Sequence, residues 1–379
     1  MGFYVYHRPV SGAGLFVGRE LTMRSLTTGL ASNRMFAVCG GPKLGRTSVL
    51  QQLYGANQLQ WLRNPKAAKL VPIVLDVARI NPGQTTLQAS RNFAQALWEA
   101  VTRSISDPRV YGNSQPPKFP KADFPREKDP WALFHKSCDE LWNTISGTPA
   151  WARTALFLDN CDELTTRTFD MALPPLNDFL RSNVQYAPAA AVLTGGRMLR
   201  EFITEKTSPL RMARPLLLAL LRNSEADSLV RAGMPEVTPE GLELIKFVTG
   251  RHPYLMQRVL GQMEALGGVF DVDQALQGAW PEIEPVFNAI WDEFDLRRGV
   301  TYRGAYAAPE HALMQYLIDA RREVVLKDAE RDLGVKPLKE HAEFLEYVGV
   351  ADRQIRGDVI QLRAPFDLWN RWYLNRIMH

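Results

Sequence analysis

The chain has 379 residues, 46% hydrophobic and 23% charged, with a net charge of +4, which is length enough for two or three domains with substantial cores. Its three cysteines, Cys39, Cys138 and Cys161, lack metal-ligand spacing, which argues against a disulfide scaffold or zinc module and for a reducing compartment. The small charge does not demand nucleic acid, and neither a secretory leader nor a membrane-spanning apolar run is evident, so a cytoplasmic protein with no membrane partner is expected.

Residues 1–15 are aromatic and glycine-rich, and an extended segment is expected there. Phe16-Val17-Gly18-Arg19-Glu20 starts a helix with Leu21, Met23, Leu26 and Leu30 as its apolar positions. The short apolar run Met35 to Cys39 then meets Gly40-Gly41-Pro42-Lys43-Leu44-Gly45-Arg46-Thr47-Ser48. A helix carrying Leu50, Leu53 and Leu59 follows from about Thr47. Strand, glycine-rich turn and helix form the layout of a phosphate-binding loop. Glycines let backbone N–H groups converge on phosphate oxygens, and the helix N-terminus adds partial positive charge. In the pattern G-x-x-x-x-G-K-[ST] the lysine reaches the β- and γ-phosphates and the hydroxyl binds Mg²⁺. Gly40, Gly45 and Thr47 fit, and Arg46 stands where the lysine would be. A plain glycine turn between strand and helix is the less favoured reading.

Leu70 to Val77 is a short, nearly continuous apolar run with β-branched residues and predicts a buried strand. Residues 86–104 suit a helix with Phe93, Leu97 and Val101 on one face. The proline-rich stretch 107–130 predicts an irregular surface insertion. Trp131 to Ile145 resumes a helix, and strands recur at Ala155–Leu158 and Ala190–Thr194, with Pro215–Leu221 a last strand or a transition. Strands alternating with helices imply a parallel sheet covered on both faces. From Ser224 to Asp295 the pattern is helical, interrupted at Pro235, Pro239, Gly250 and Pro253. Residues 305–379 then predict three short helices, a hairpin turning at Gly357 between Val350–Ile355 and Asp358–Leu362, and a last helix packed by Trp369 and Trp372. That order suits a winged helix.

A phosphate loop needs an acidic strand end for Mg²⁺, and Ala155-Leu156-Phe157-Leu158-Asp159 supplies one. Such an Asp lies at the C-terminal edge of the sheet, where ligands of open α/β sheets bind. The metal is expected between Asp159 and the Thr47 hydroxyl, the competing reading being a helix N-cap. Hydrolysis also needs a group to orient or deprotonate water. The position after Asp159 is Asn160, which cannot accept a proton. Asp162 and Glu163 could substitute, and the alternative of equal weight is that they are first-turn acids favoured by the helix dipole. Arg46 brings a bulkier, diffuse charge in place of a compact ammonium, so Arg46 and Asn160 together predict retained binding with slow or absent turnover. Thr194 or Arg197, in Thr194-Gly195-Gly196-Arg197, could sense the γ-phosphate; a turn with a solvated arginine is the equal alternative.

These motifs together resemble the STAND/AAA+-type P-loop NTPases, especially bacterial and archaeal ATPases that open with an FxGRE-like motif. The resemblance spans roughly residues 15–375. It implies that Gly18 and Arg19 lie near the adenine, that Gly40 through Ser48 correspond to Walker A, and that Leu156 through Glu163 correspond to Walker B. It also implies that Leu193 through Arg197 are the sensor strand with its arginine. His252 and Pro253, within Gly250-Arg251-His252-Pro253-Tyr254-Leu255, would then be the lid element that approaches the nucleotide. The architecture implied is an α/β P-loop core (1–222), an all-α lid (223–300) and a winged-helix domain (301–379), with ATP or ADP and Mg²⁺ as cofactors. In that family nucleotide state controls domain packing, giving a switch for assembly or signalling, here with a sensor or effector on a separate chain and room for a homo-oligomer. One rival is a pseudo-ATPase scaffold for a protein partner. Another is a DNA-associated ATPase of transposition or replication. It is disfavoured because Glu340, Glu343 and Glu346 offset Lys336 and Lys339 on the expected recognition helix.

Overall fold

The computed structural model describes residue 4 and residues 16–54, 70–106, 118–145, 153–182, 187–268, 270–296, 309–364 and 366–378. The chain divides into two compact units. One comprises 20–39 and 46–216, the other 1–19, 40–45 and 217–379.

The first unit is an α/β layer structure. Its strands are β1 (Met35–Cys39), β2 (Leu70–Asp76), β3 (Arg153–Asp159), β4 (Pro188–Gly195) and β5 (Arg214–Leu217), ordered β2-β3-β4-β1-β5. The β2–β3, β3–β4 and β1–β4 pairs are parallel. The apolar runs Phe36–Cys39, Ala155–Leu158 and Ala190–Leu193 are fully buried, as strands covered on both faces require. Its helices are α1 (Glu20–Ala31), α2 (Arg46–Tyr54), α3 (Thr86–Ile105), α4 (Pro130–Ile145), α5 (Leu173–Arg181) and α6 (Arg197–Thr204). Thr85 caps α3 by accepting the Gln88 N–H, and the expected face of Phe93, Leu97 and Val101 is buried. Phe93, Trp131, Phe134 and Phe179 bring α3, α4 and α5 together in edge and tilted contacts.

Several local expectations change. Leu21 is not a core residue but lies exposed on α1, because Met23, Leu26 and Leu30 already fill that helix's apolar stripe. The insertion is not wholly superficial: Phe124 is buried on a short 3-10 turn, Phe124–Arg126. The last strand is shorter than the apolar run predicts and stops at Leu217. Leu59 and most of 1–15 and 107–117 fall outside the described residues, although Tyr4 is buried and donates its hydroxyl to Val230 O at 2.8 Å.

The second unit is helical at first, with α7 (Asn223–Gly233), α8 (Pro239–Thr249), α9 (Pro253–Ala265) and α10 (Val272–Leu296). Pro239 and Pro253 open their helices at the first turn, where a missing N–H costs nothing. Then come α11 (Pro309–Ala320), β6 (Val324–Val325), α12 (Leu326–Leu333), α13 (Lys339–Val348), β7 (Asp352–Arg356), β8 (Val359–Arg363) and α14 (Asp367–Met378). The three short strands pair antiparallel in the order β6-β8-β7. This is the element order of a winged helix, and the two-residue β6 is the strand the sequence pattern passes over. Phe287, Trp291, Phe294, Phe366, Trp369, Trp372 and Tyr373 join α10 to α14 in one aromatic cluster, with Trp369 fully buried.

Candidate functional site

In the first unit the sheet's C-terminal edge gathers the polar groups. β3 ends in Asp159, which is buried. Its Oδ1 accepts the Thr194 hydroxyl from β4 and, at 3.1 Å, the Asn160 N–H. Its Oδ2 has no partner among the described residues. Asn160 turns the chain in the left-handed region at φ 56°, which asparagine tolerates better than most residues. Its amide also reaches Thr194 Oγ1 at 3.3 Å, and its side-chain Nδ2 donates to Asp76 Oδ1 at 2.8 Å. Asp76 ends β2 and is the register partner of Asp159. Sequence reasoning missed Asp76, although an apolar strand closing on an aspartate is the same signal that identified Asp159.

Asp162 sits on a 3-10 turn, Cys161–Thr165. One carboxylate oxygen accepts the Gly196 N–H, the other accepts Leu199 N–H at 2.9 Å, so the carboxylate closes the N-terminus of α6 where the helix dipole favours it. Asp162 Oδ2 also lies 3.5 Å from Arg46 Nη1 at the start of α2. Glu163 is exposed on the same turn. Arg197 forms an i,i+4 pair with Glu201 at 2.7 Å. Thr47 and Ser48 are half-buried in the first turn of α2. All three cysteines are free and buried. Burial pushes the Cys39 thiol up to about 12 and also raises the Cys138 and Cys161 thiols, which leaves no thiolate chemistry at neutral pH.

The second unit contains Gly40–Gly45 and the residues that hold them. Lys43 at φ 57° and Gly45 at φ 96° give the loop its turn. The Gly41 N–H donates to Tyr347 O at 2.9 Å, and the Tyr347 hydroxyl donates to Gly40 O at 3.3 Å. His252, the cap residue of α9, lies 3.2 Å by Nε2 from Pro42 O. Since a carbonyl only accepts, Nε2 carries the proton. The ring is fully buried, Nδ1 has no partner among the described residues, and burial lowers the histidine pKa to about 3. Pro253 follows as the first residue of α9. Lys43 Nζ lies 5.6 Å above the Tyr254 ring.

Gly18 and Arg19 adopt positive φ of 83° and 66°. The Arg19 N–H donates to Glu225 Oε1 at 2.7 Å, while the other oxygen accepts Arg222 N–H at 2.9 Å. Arg19 Nη2 donates to Leu44 O at 3.1 Å in a buried setting. Desolvation pulls its guanidinium down to about 10, with Glu225 opposing. Arg251, at φ 63°, crosses from the α8–α9 turn to β7: Nη1 donates to Leu221 O at 3.0 Å and Nη2 pairs with Asp352 at 2.7 Å. Glu225, Arg251, Tyr347 and Asp352 are all contributions that sequence reasoning missed, since each depends on pairing over long chain separations.

The donor set has the character Mg²⁺ prefers. Among the described residues no group of three or more His, Cys, Asp or Glu gathers to hold a metal. Mg²⁺ needs no such cage, taking one or two carboxylates, a hydroxyl, waters and substrate phosphates. Asp159, with Oδ2 open, and Thr47 fit that role.

The chain is similar to the Walker-type ATPase PABY2304 of Pyrococcus abyssi, with 16% identity, 97% of this chain and 99% of that one covered, and a TM-score of 0.60. It also matches the Aeropyrum pernix Orc1 protein in complex with DNA (12% identity, 99% and 96% covered, TM-score 0.47) and a RuvB variant of Thermotoga maritima (15%, 91% and 93%, 0.41). The last two are too distant to bear on the argument. The first shows the fold alone: an α/β architecture built on a parallel sheet, as in P-loop NTPases. No protein-family model and no curated protein matches the chain. Among the described residues no helix is long and apolar enough to cross a membrane.

Proposed function

We propose that the chain is an ATP-binding switch of the STAND/AAA+ type, serving signalling or defence, in which nucleotide state governs domain packing and assembly with a protein partner, and in which hydrolysis is weak or absent. Residues 40–48 hold the phosphates, Gly18 and Arg19 the base end, and Thr47 with Asp159 the Mg²⁺. Thr194 or Arg197 senses the γ-phosphate, and His252 and Pro253 belong to the lid element that approaches the nucleotide. When bound, Mg²⁺ neutralises charge on the β- and γ-phosphates. The observation that carries this reading is that the backbone of Gly40–Leu44 is held by side chains from three distant parts of the sequence. Arg19, His252 and Tyr347 each hydrogen-bond to it. A ligand on this loop therefore addresses the same short segment that those elements grip, and differential contact is what shifts a conformational equilibrium.

The domain scheme that goes with this reading is a core of 1–222, a lid of 223–300 and a winged helix of 301–379. The test is calorimetric titration of nucleotide-free protein with ATP and Mg²⁺, with phosphate release followed on the same sample. Submicromolar to micromolar binding that Thr47→Ala and Asp159→Ala each weaken about tenfold, roughly 1.4 kcal/mol, supports the site. Binding left unchanged by both sinks it. Equal hydrodynamic radius with and without nucleotide, alongside tight binding, would favour the scaffold reading. That reading draws support from Asp162, whose carboxylate is committed to α6 and Arg46. A DNA-associated role remains the less favoured alternative. Glu343 and Glu346 are paired with Arg353 at 3.2 and 2.6 Å, so the acidic face is better neutralised than the sequence suggests, yet no excess of positive charge results. Cytoplasmic location and assembly into a homo-oligomer belong to the same proposal.

A further inference from the structure

Position 160 poses a chemical problem: the residue after the strand-end aspartate is an amide, and Asp162 is committed elsewhere. The hydrogen bonds of the first unit supply an answer on the neighbouring strand. Asn160 Nδ2 donates to Asp76 Oδ1 at 2.8 Å, and Asp76 stands in register with Asp159 at the same edge of the sheet. Adjacent strands lie about 4.8 Å apart, so two carboxylates share this edge, one on β2 and one on β3. They differ in what holds them. Asp159 is buried and tied to Thr194, which suits a fixed metal ligand. Asp76 keeps 31% of its side chain exposed, which suits a group that meets water.

We infer that Asp76 is the carboxylate that orients and deprotonates the attacking water, with Asn160 as its positioning residue. The inference rests on the nucleotide-binding reading above. The acid sits at the end of β2 and the amide that holds it follows β3. Asn160 can only donate from Nδ2, so its bond fixes the plane of the Asp76 carboxylate. The other contacts of Asp76 do not consume it. Oδ1 accepts Ala78 N–H at 3.2 Å in a local turn. Oδ2 lies 3.0 Å from Arg79 Nε, but that arginine is 86% exposed, and such pairs are worth little and break readily. In the step itself the water oxygen bonds to the γ-phosphorus of a nucleoside triphosphate as the bond to the β–γ bridging oxygen breaks. The electron pair leaves on the nucleoside diphosphate, and the water proton passes to the Asp76 carboxylate and on to solvent.

Asp76→Asn tests this cleanly, because asparagine can still accept the Ala78 N–H. The full chain is compared with the variant by calorimetric Mg²⁺-ATP titration, thermal melting and single-turnover phosphate release. The expected result is an ATP affinity within twofold, an unchanged melting temperature and phosphate release about 100-fold slower, the scale of general-base catalysis. The exchange variant Asp76→Asn with Asn160→Asp inverts the same hydrogen bond and is expected to recover at least part of the rate. Unchanged release in Asp76→Asn overturns the inference, as does a loss of melting temperature and binding together, which would make Asp76 structural. Wild-type protein that binds ATP and releases no phosphate also overturns it while leaving the nucleotide site standing. Wild-type protein that binds no nucleotide overturns the underlying reading itself.

Discussion

His252 shows how much a single side chain can be asked to do. Its Nε2–H reaches Pro42 O, its Nδ1 has no partner among the described residues, and its burial holds the ring neutral with a pKa near 3. The sign of the resulting pH dependence follows from which state takes the proton. The unfolded chain protonates this histidine near pH 6.5 and the folded chain does not, so the unfolded state binds more protons between about 6.5 and 3. Stability from this residue is complete above pH 6.5 and is lost as pH falls, by about 2 kcal/mol at pH 5. His252→Gln keeps a donor for Pro42 O and should flatten the acid limb of a stability profile measured by denaturant unfolding at pH 5 and pH 8. An acid limb as steep as the wild type's would show that His252 is not its source. Asp159 and Thr47 sit at the same scale. Their Ala variants should cost affinity for Mg²⁺-ATP and leave the nucleotide-free melting temperature within a few degrees for Thr47→Ala, since that side chain is half-buried in the first turn of α2.

Among the elements, two junctions carry more than their length suggests. At the first, Gly41 packs against the end of α13, where an added Cβ would stand 2.8 Å from Val348 Cα and 2.9 Å from Tyr347 O. Both neighbours are backbone and neither can rotate aside. Gly41→Ala should therefore loosen the segment 40–45 from α13 at a cost of about 1–3 kcal/mol. Hydrogen exchange would read this as faster exchange at 40–45 and 345–350, and unchanged protection there would refute it. At the second junction Arg251 joins the α8–α9 turn to β7 through Asp352, with Arg363 Nε 3.4 Å from the same carboxylate oxygen. Removing Arg251 leaves Asp352 with the weaker partner, and breaking a buried pair typically costs about 3–5 kcal/mol. Arg251→Met should lower the melting temperature, whereas the double variant Arg251→Met with Asp352→Leu should recover much of the loss. A double variant no more stable than the single one would mean that the guanidinium's bonds to Leu221 O, not the ion pair, are what matter.

For the whole molecule, two apolar cores are the visible source of stability. Tight apolar packing fills the sheet layers of one unit and the aromatic cluster of the other, and among the described residues no cage of three metal-binding side chains exists. A chelator should leave the melting temperature of nucleotide-free protein unchanged and abolish the rise produced by Mg²⁺-ATP. That rise should grow with ligand concentration, reaching about 2.7 kcal/mol at a hundredfold excess over the dissociation constant. A chelator that lowers the nucleotide-free melting temperature would point to a structural metal and contradict this account.

Much of this was legible from local chemistry. The apolar runs marked four strands because a strand buried on both faces must be apolar throughout, and Gly40 to Ser48 marked the strand–turn–helix junction because glycine readily takes the positive φ that Gly45 adopts. Gly357 marked a hairpin turn, and it takes a positive φ of 60°. These signals are written within a few residues. What tertiary structure decided is which distant groups meet. Asp76 and Asn160 are 84 residues apart, Arg251 and Asp352 are 101 apart, and Gly40 and Tyr347 are 307 apart. The role of Asp162 changed for the same reason: its local setting suggests an acid at a turn, while folding brings it the amides of Gly196 and Leu199. Periodicity and composition report the environment a residue needs. Strand order and register determine which partner supplies it, and in this protein that is where the chemistry of the sheet edge is settled.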